Sequence, residues 1–122
     1  MITGAVNAYR EAVIHLTVHG SQTEEEIEAV VDTGFNGFLT LPPLLIATLG
    51  LPFSRRGRAV LADGSESLFD VHQATIVWNE QPRRVAVDAV DTDPLVGMNL
   101  LYGHELTVQA VEDGNVSIKP IA

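Results

Sequence analysis

The sequence predicts a mainly β, barrel-like domain with one or two short helices, formed as a single domain by residues 1–122. Three observations support this fold class. Short apolar runs alternate with polar residues at the period of a β-strand. Turn residues separate these runs, and the Asp-Gly pairs that favour tight hairpins occur at residues 63–64 and 113–114. A chain of 122 residues without a linker or low-complexity segment has room for one core.

The first predicted strand shows the alternation most clearly, because apolar Ile14, Leu16 and Val18 are interleaved with polar residues. Residues 20–22 are predicted to end it. A returning apolar strand then runs directly into Asp32, and the later strands are bounded by turn residues in the same way. In chain order, the predicted strands are residues 14–19, 27–31, 35–41, 59–62, 65–69, 71–78, 84–90, 95–97, 106–111 and 116–118.

Two short helical segments are predicted between the strands. Pro43 suits the first turn of a helix, and Gly50 suits the left-handed residue that follows a helix. A helix is therefore predicted over residues 43–49. Residues 98–101 are predicted to form one or two helical turns after a very short apolar strand.

Composition and charge exclude several classes of function. Sixteen acidic residues against seven Lys and Arg give a net charge of −9, so we expect no nucleic-acid partner, and the basic cluster at residues 55–58 is interpreted as a solvated loop. The chain has no cysteine, which excludes disulfides and thiolate metal sites. No apolar run is long enough to span a membrane, and the N-terminus has no secretory pattern. We therefore expect a cytoplasmic protein with no membrane partner.

Asp32, Thr33 and Gly34 are the residues that first suggest chemistry. A carboxylate between two apolar strands is unusual, although Asp-x-Gly also occurs in many ordinary turns. Carboxylates alone hydrolyse a peptide bond only as a close pair that shares one proton. The chain has one such loop, since Asp63 lies at a hairpin tip with its neighbours in the wrong order, and Asp91 and Asp93 lie in a loop before Pro94. A single loop supplies a pair only when a second copy of the chain places its own loop across a two-fold axis.

The segment Leu95-Val96-Gly97, followed by residues 98–101, is the second anchor of this interpretation. Together with Val30-Val31-Asp32-Thr33-Gly34 and the hairpin at residues 63–64, it resembles the retropepsin-like aspartic proteases. The order and spacing of these segments agree with that family over about seventy residues, and the two anchors together are more specific than either alone. Residues 32–42 look like the bacterial single-domain branch in particular. The resemblance implies a closed acid-protease β-barrel, a homodimer, a polypeptide substrate, and no metal or other cofactor.

The resemblance also implies a role for each matched residue. Asp32 would be the catalytic carboxylate, Thr33 would hydrogen-bond across the dimer, and Gly34 would allow a tight turn near substrate. A flap would close over the substrate and exclude water. The residues of this flap are Ala62, Asp63, Gly64 and Ser65. The residues that would support the active-site loop are Leu95, Val96 and Gly97.

This chain departs from the retroviral pattern at two positions. An acidic residue and an Arg that form an ion pair within each retroviral subunit are replaced here by Asn36 and Met98. We therefore keep two further hypotheses: a catalytically silent dimeric module that binds extended peptides, and a structural barrel whose Asp32 is only a turn residue. His15 and His19 have the spacing of a helical metal pair. Strand alternation instead favours a surface pair, so we expect no metal site there.

Overall fold

The computed structural model describes residues 1–21 and 23–122, and within them it contains one ten-stranded sheet and two short helices. The predicted mainly β fold class is confirmed. The strands are β1 Ile2–Val6, β2 Ala12–His19, β3 Glu24–Val31, β4 Leu39–Leu41, β5 Phe53–Val60, β6 Glu66–Trp78, β7 Gln81–Ala89, β8 Leu95–Val96, β9 His104–Val108 and β10 Asn115–Pro120. The helices are α1 Pro43–Leu49 and α2 Met98–Leu101.

The strands are hydrogen-bonded in the order β5-β6-β7-β4-β8-β3-β2-β1-β10-β9. Most neighbours are antiparallel, whereas β3 with β8 and β4 with β7 are parallel. A further pairing aligns Val18 of β2 with Ile76 of β6. The sheet therefore folds back on itself and encloses one apolar core.

The core follows from the alternation seen in the sequence. In β2, Ile14, Leu16 and Val18 are at most 3% exposed, while the side chains between them face outward. The same pattern buries Val85 and Val87 of β7. Burying apolar side chains of this size stabilises a fold by about 1.5–3 kcal/mol each, so these faces fix which side of each strand turns inward.

The first helix is confirmed where Pro43 and Gly50 predicted it. Gly50 has φ 66° and its N–H donates to the Ala47 carbonyl oxygen, so a left-handed glycine ends the helix. Residues 98–101 form α2, as predicted. No helix in the described part of the chain has the length and apolarity needed to cross a membrane.

The predicted strand over residues 35–41 is wrong in its first half. Only Leu39–Leu41 forms a strand. The carbonyls of Phe35, Gly37 and Phe38 accept hydrogen bonds from the chain at residues 97–99 instead of from a neighbouring strand. An apolar run gives no sign of this, because the partner lies some sixty residues away in the sequence.

The interpretation of residues 55–58 as a solvated loop is also wrong, because they lie within β5. Arg56 is 3.0 Å from the Asp70 carboxylate, and Arg58 is 3.2 Å from that of Glu66. These cross-strand ion pairs lie on one face of the β5–β6 hairpin. The predicted strands at 65–69 and 71–78 form one strand, β6, and β1 was not predicted. The predicted break at residues 20–22 follows β2, and Gln22 lies outside the described residues.

Candidate active site

Asp32 follows β3 directly, at a point where three strands meet. Val31 pairs with Val96 of β8, and Leu39 of β4 pairs with the same Val96 from the other side. The Asp32 N–H donates to the Val96 carbonyl oxygen at 2.9 Å. Strand β8 therefore lies between the strand that enters the Asp32 loop and the strand that leaves it, and it holds the backbone on both sides.

The loop from Asp32 to Phe38 is held by backbone hydrogen bonds to the start of α2. Each of three consecutive N–H groups, at residues 97–99, donates to a carbonyl of this loop. The pairs are Gly97 to Phe38 at 3.0 Å, Met98 to Phe35 at 2.8 Å and Asn99 to Gly37 at 3.1 Å. A loop held by main-chain bonds positions a side chain more rigidly than one held by exposed side chains.

Gly97 has no room for a side chain. A Cβ atom at this position would lie 2.7 Å from the Phe35 carbonyl oxygen and would also collide with the Gly37 carbonyl oxygen. Both contacts are with backbone atoms, which cannot move aside as a side chain can. The close passage of residues 95–97 under the Asp32 loop thus depends on glycine.

The Asp32 carboxylate is partly exposed, and one of its oxygens accepts the Gly34 N–H at 2.9 Å. This is the hydrogen bond of an ordinary Asx turn. Thr33 and Gly34 are exposed. The bond leaves the second carboxylate oxygen of Asp32 available to a water, a substrate or a second carboxylate.

Thr40 supports the loop from its other end. Thr40 is the only buried polar residue among the described residues, with 3% of its surface exposed. Its Oγ1 accepts the Leu95 N–H at 2.9 Å. A buried hydroxyl that satisfies a backbone N–H in this way ties β4 to β8 and avoids the cost of an unpaired donor.

A cleft of about 760 Å³ opens beside Asp32 and Thr33. Its remaining walls are the turn between β1 and β2 and the segment from β9 to residue 112. Val111, 65% exposed, lines the cleft, and Tyr9, 84% exposed, lies in the same turn as the lining residues Ala8 and Arg10 without lining the cleft itself. Exposed apolar side chains around a cleft are typical of surfaces that contact another molecule.

The turn beside this cleft is well ordered by its own hydrogen bonds. The Asn7 Oδ1 accepts the N–H groups of Tyr9 at 3.0 Å and Glu11 at 2.9 Å. The Asn7 side-chain amide also donates to the Glu11 carboxylate at 2.9 Å. Tyr9 is therefore presented on a preorganised turn, which lowers the entropy lost when a partner binds.

The predicted flap residues form the tip of the β5–β6 hairpin and are exposed. Gly64 takes φ 86°, and its N–H closes the turn on the Leu61 carbonyl oxygen at 2.9 Å. The Asp63 carboxylate accepts both the Ser65 hydroxyl at 2.6 Å and the Ser65 N–H at 2.9 Å, and these bonds hold the Asp63 pKa below its usual value. The cleft beside Asp32 is lined by other segments and not by this turn.

Asp88, on β7 beside the Asp32 loop, is a carboxylate that was not predicted from the sequence as a site residue. Its Oδ2 would lie 3.3 Å from a Cβ atom placed on Gly37. Burial raises the Asp88 pKa, and the positive charge of Arg55 offsets part of this rise. The available signal was the alternation of Val85 and Val87 with a carboxylate in the same strand, which places that carboxylate on the opposite sheet face.

Another missed residue is Arg83, which braces the same region from β7. Its guanidinium lies 5.7 Å from the centre of the Phe38 ring, and its Nη1 is 3.5 Å from the Leu100 carbonyl oxygen of α2. Asn36 and Met98, at either side of this contact, carry no charge and form no ion pair. In this chain a cation from β7 contacts both the loop and α2.

The histidines expected on the surface of β2 lie beside glutamates of β3. His15 is 3.2 Å from the Glu26 carboxylate and His19 is 2.8 Å from that of Glu24. Cross-strand pairing explains both contacts. Within the described residues, no group of three or more His, Asp or Glu is close enough to hold a metal ion.

A scan against protein-family models matches none of them, and a search of curated proteins gives no significant match.

Proposed function

We propose that the protein is a homodimeric aspartic endopeptidase in which Asp32 of each subunit supplies one carboxylate. The observation that carries this proposal is the Asp32 loop itself, with a carboxylate at the end of a half-buried strand and a backbone held by β8 and α2. The fold we propose for each subunit is a closed, retropepsin-like barrel. The sheet that folds back through β2 and β6 supports it.

The proposed chemistry needs two carboxylates that share one proton. The ionised carboxylate takes a proton from water as the water oxygen attacks the scissile carbonyl carbon, and the protonated one donates to the carbonyl oxygen. Collapse of the resulting gem-diol breaks the carbon–nitrogen bond, and the leaving nitrogen takes up a proton. The products are a carboxylic acid and an amine, so water is the only co-reactant.

One subunit carries half of this machinery, so the second copy has to place its own Asp32 next to the first. The surface beside Asp32 suits such a contact. Val111 in the lining of the cleft, and Tyr9 on the preorganised turn beside the cleft, expose apolar area near Asp32 and Thr33. Aromatic residues of this kind are enriched in protein interfaces.

The test is cleavage of an unstructured polypeptide by the purified protein at mildly acidic pH, where a carboxylate pair holds one proton. We expect Asp32→Asn to abolish cleavage and to leave the dimer folded, because Asn keeps the shape and removes the ionisable group. Asp93→Asn is the matched control, since Asp93 is an exposed loop aspartate that no step of the proposal uses. Cleavage by Asp32→Asn at the rate of the parent would rule out this mechanism.

A peptide-binding module without catalysis gives a different result in the same assay. It would bind unstructured polypeptide as a dimer and release it uncut, with or without the Asp32 substitution. A structural barrel whose Asp32 only closes a turn would be monomeric and would bind nothing. Measuring mass in solution, binding and cleavage together distinguishes the three.

A further inference from the structure

The Asp88 carboxylate lies on a sheet face that continues from the flap hairpin to the Asp32 loop. Asp88 pairs with Val71 of β6 on one side and with Thr40 of β4 on the other. Val71 pairs in turn with Arg55 of β5, so these four residues form one row across four strands. Directly paired residues on neighbouring strands project to the same face, so the row leads from the hairpin to the strand that leaves the Asp32 loop.

The side chains around Asp88 form a partly apolar wall. On the same face of the hairpin, the buried Gly57 is covered by the Phe69 ring, because a Cβ at Gly57 would lie 2.6 Å from that ring. On the loop side, the absence of a side chain at Gly37 leaves the space into which the Asp88 Oδ2 and the Phe35 ring project. The carboxylate is thus half-buried between the base of the hairpin and the active-site loop.

Within the described residues, Asp88 has no hydrogen-bond donor and no ion pair with its carboxylate. The ion pairs of the same hairpin, Arg56 with Asp70 and Arg58 with Glu66, lie on the opposite face. Arg55 acts on Asp88 through its charge and makes no contact within ion-pair distance. Half-burying a carboxylate without a partner is unfavourable, and such an arrangement is common where a protein binds a ligand of opposite charge.

We propose that Asp88 binds a basic side chain, lysine or arginine, of the polypeptide held at the Asp32 loop. The methylenes of such a side chain suit the aromatic and aliphatic wall, and its cation suits the half-buried carboxylate. Arg55 repels the same cation and so weakens the preference. This assignment rests on the proposed peptidase function, because it names the substrate class that the same site takes.

The experiment uses pairs of fluorogenic peptides that are identical except for one lysine, replaced by norleucine, placed in turn at each position around the scissile bond. At one position we expect kcat/KM to favour lysine by about tenfold, the scale of a charge-assisted contact in a partly buried site. Asp88→Asn should bring the lysine-to-norleucine ratio close to one, and Arg55→Gln should raise it. Asp70→Asn is the control, because its carboxylate is on the opposite face.

A charge reversal makes the assignment independent of any loss of fold. Asp88→Lys should favour glutamate over norleucine at the position where the parent favours lysine, and a purely structural role for Asp88 would not produce this reversal. An unchanged lysine preference in Asp88→Asn, or a parent with no preference at any position, would overturn the assignment.

The two proposals fail in distinguishable ways. If the parent cleaves both peptides of every pair equally well, the peptidase stands and the role of Asp88 is refuted. If nothing is cleaved, affinities of the same peptides for Asp32→Asn are measured by fluorescence anisotropy. A lysine preference in binding that Asp88→Asn removes would refute the hydrolysis and retain the basic-residue site, whereas equal affinities would refute the site.

Discussion

Asp63 and Asp88 are both aspartates on the β5–β7 part of the sheet, and their surroundings move their pKa values in opposite directions. Asp63 accepts two hydrogen bonds from Ser65, which favour its ionised form and lower the pKa. Burial disfavours the ionised form of Asp88 and raises its pKa against the weaker opposing effect of Arg55. The tip of the β5–β6 hairpin therefore stays charged under acidic conditions in which Asp88 is already partly neutral.

The raised pKa of Asp88 gives a pH dependence of stability whose sign is fixed. A carboxyl whose pKa is higher in the folded state than in the unfolded state favours folding while it is protonated, and this contribution is lost as the pH rises through the folded-state pKa. We therefore expect Asp88→Asn to raise Tm relative to the parent at pH 7 and to raise it less at about pH 3, where Asp88 is protonated in both states. Thermal unfolding at the two pH values tests this.

Asp70→Asn provides the contrast for that measurement, because Asp70 pairs with Arg56 and its replacement removes a favourable contact. A Tm gain for Asp88→Asn that is the same at both pH values would show that the charge of Asp88 is not its cause.

At this scale the sequence predicted Asp32 and missed Asp88. Asp32 belongs to a local pattern of neighbouring residues, which a sequence shows directly. The importance of Asp88 depends on pairing with Val71 and Thr40, residues far apart in the chain, and on the missing side chain of Gly37. None of these relations has a local signature.

Among the elements, β8 does most to shape the site although it has only two residues. It pairs with β3 and β4 at once, and Gly97 follows it at the tightest point. Strands of two residues are stabilised mainly by what encloses them, so their position depends on the fit of their surroundings.

Gly97→Ala should therefore destabilise the protein more than the same substitution at a glycine that has a positive φ but open space around it. We expect a loss of about 3 kcal/mol in the free energy of unfolding, because the new methyl group would meet backbone carbonyls of the Asp32 loop. Gly103→Ala is the control: its φ is 85° and its Cβ would meet nothing within 4 Å, so only conformational strain of about 1 kcal/mol is expected. Urea denaturation measures both, and equal losses would show that crowding at Gly97 has no effect.

The elements that the sequence predicted well have local causes. The alternation of apolar and polar residues predicted β2, and Pro43 together with Gly50 predicted α1. The elements that it predicted badly take their structure from distant partners. The carbonyls of residues 35–38 bind the backbone at 97–99, and the arginines of β5 pair with acids of β6, so neither composition nor period identified their structure.

At the scale of the whole molecule, the net charge of −9 opposes the proposed dimer, because two copies bring like charges together. At physiological ionic strength, salt largely screens such repulsion between exposed charges more than about 8 Å apart. The surface proposed for the dimer contact, at Tyr9 and Val111, is apolar, so added salt should not weaken the contact.

The dimer should accordingly become tighter as the salt concentration rises. We expect the dimer dissociation constant, measured by sedimentation equilibrium at pH 7, to fall severalfold between about 0.02 and 0.3 M NaCl. Tyr9→Ala should weaken association at every salt concentration, while the equally exposed Tyr102, which lies outside the segments that form the cleft, provides Tyr102→Ala as the control. Association that weakens with salt would mean that ion pairs, and not the apolar surface, hold the two copies together.

The position of β8 also has a consequence for the order of folding. The Asp32 loop is complete only when β8 lies between β3 and β4 and residues 97–99 bind the loop carbonyls. These partners lie some sixty residues earlier in the sequence. Closing so long a loop is slow compared with forming the β2–β3 or β6–β7 hairpins, and it comes late along the chain. A ribosome-bound chain that has not yet exposed residue 99 therefore has no ordered Asp32 loop, and this loop becomes ordered only after residues 95–99 have left the ribosome.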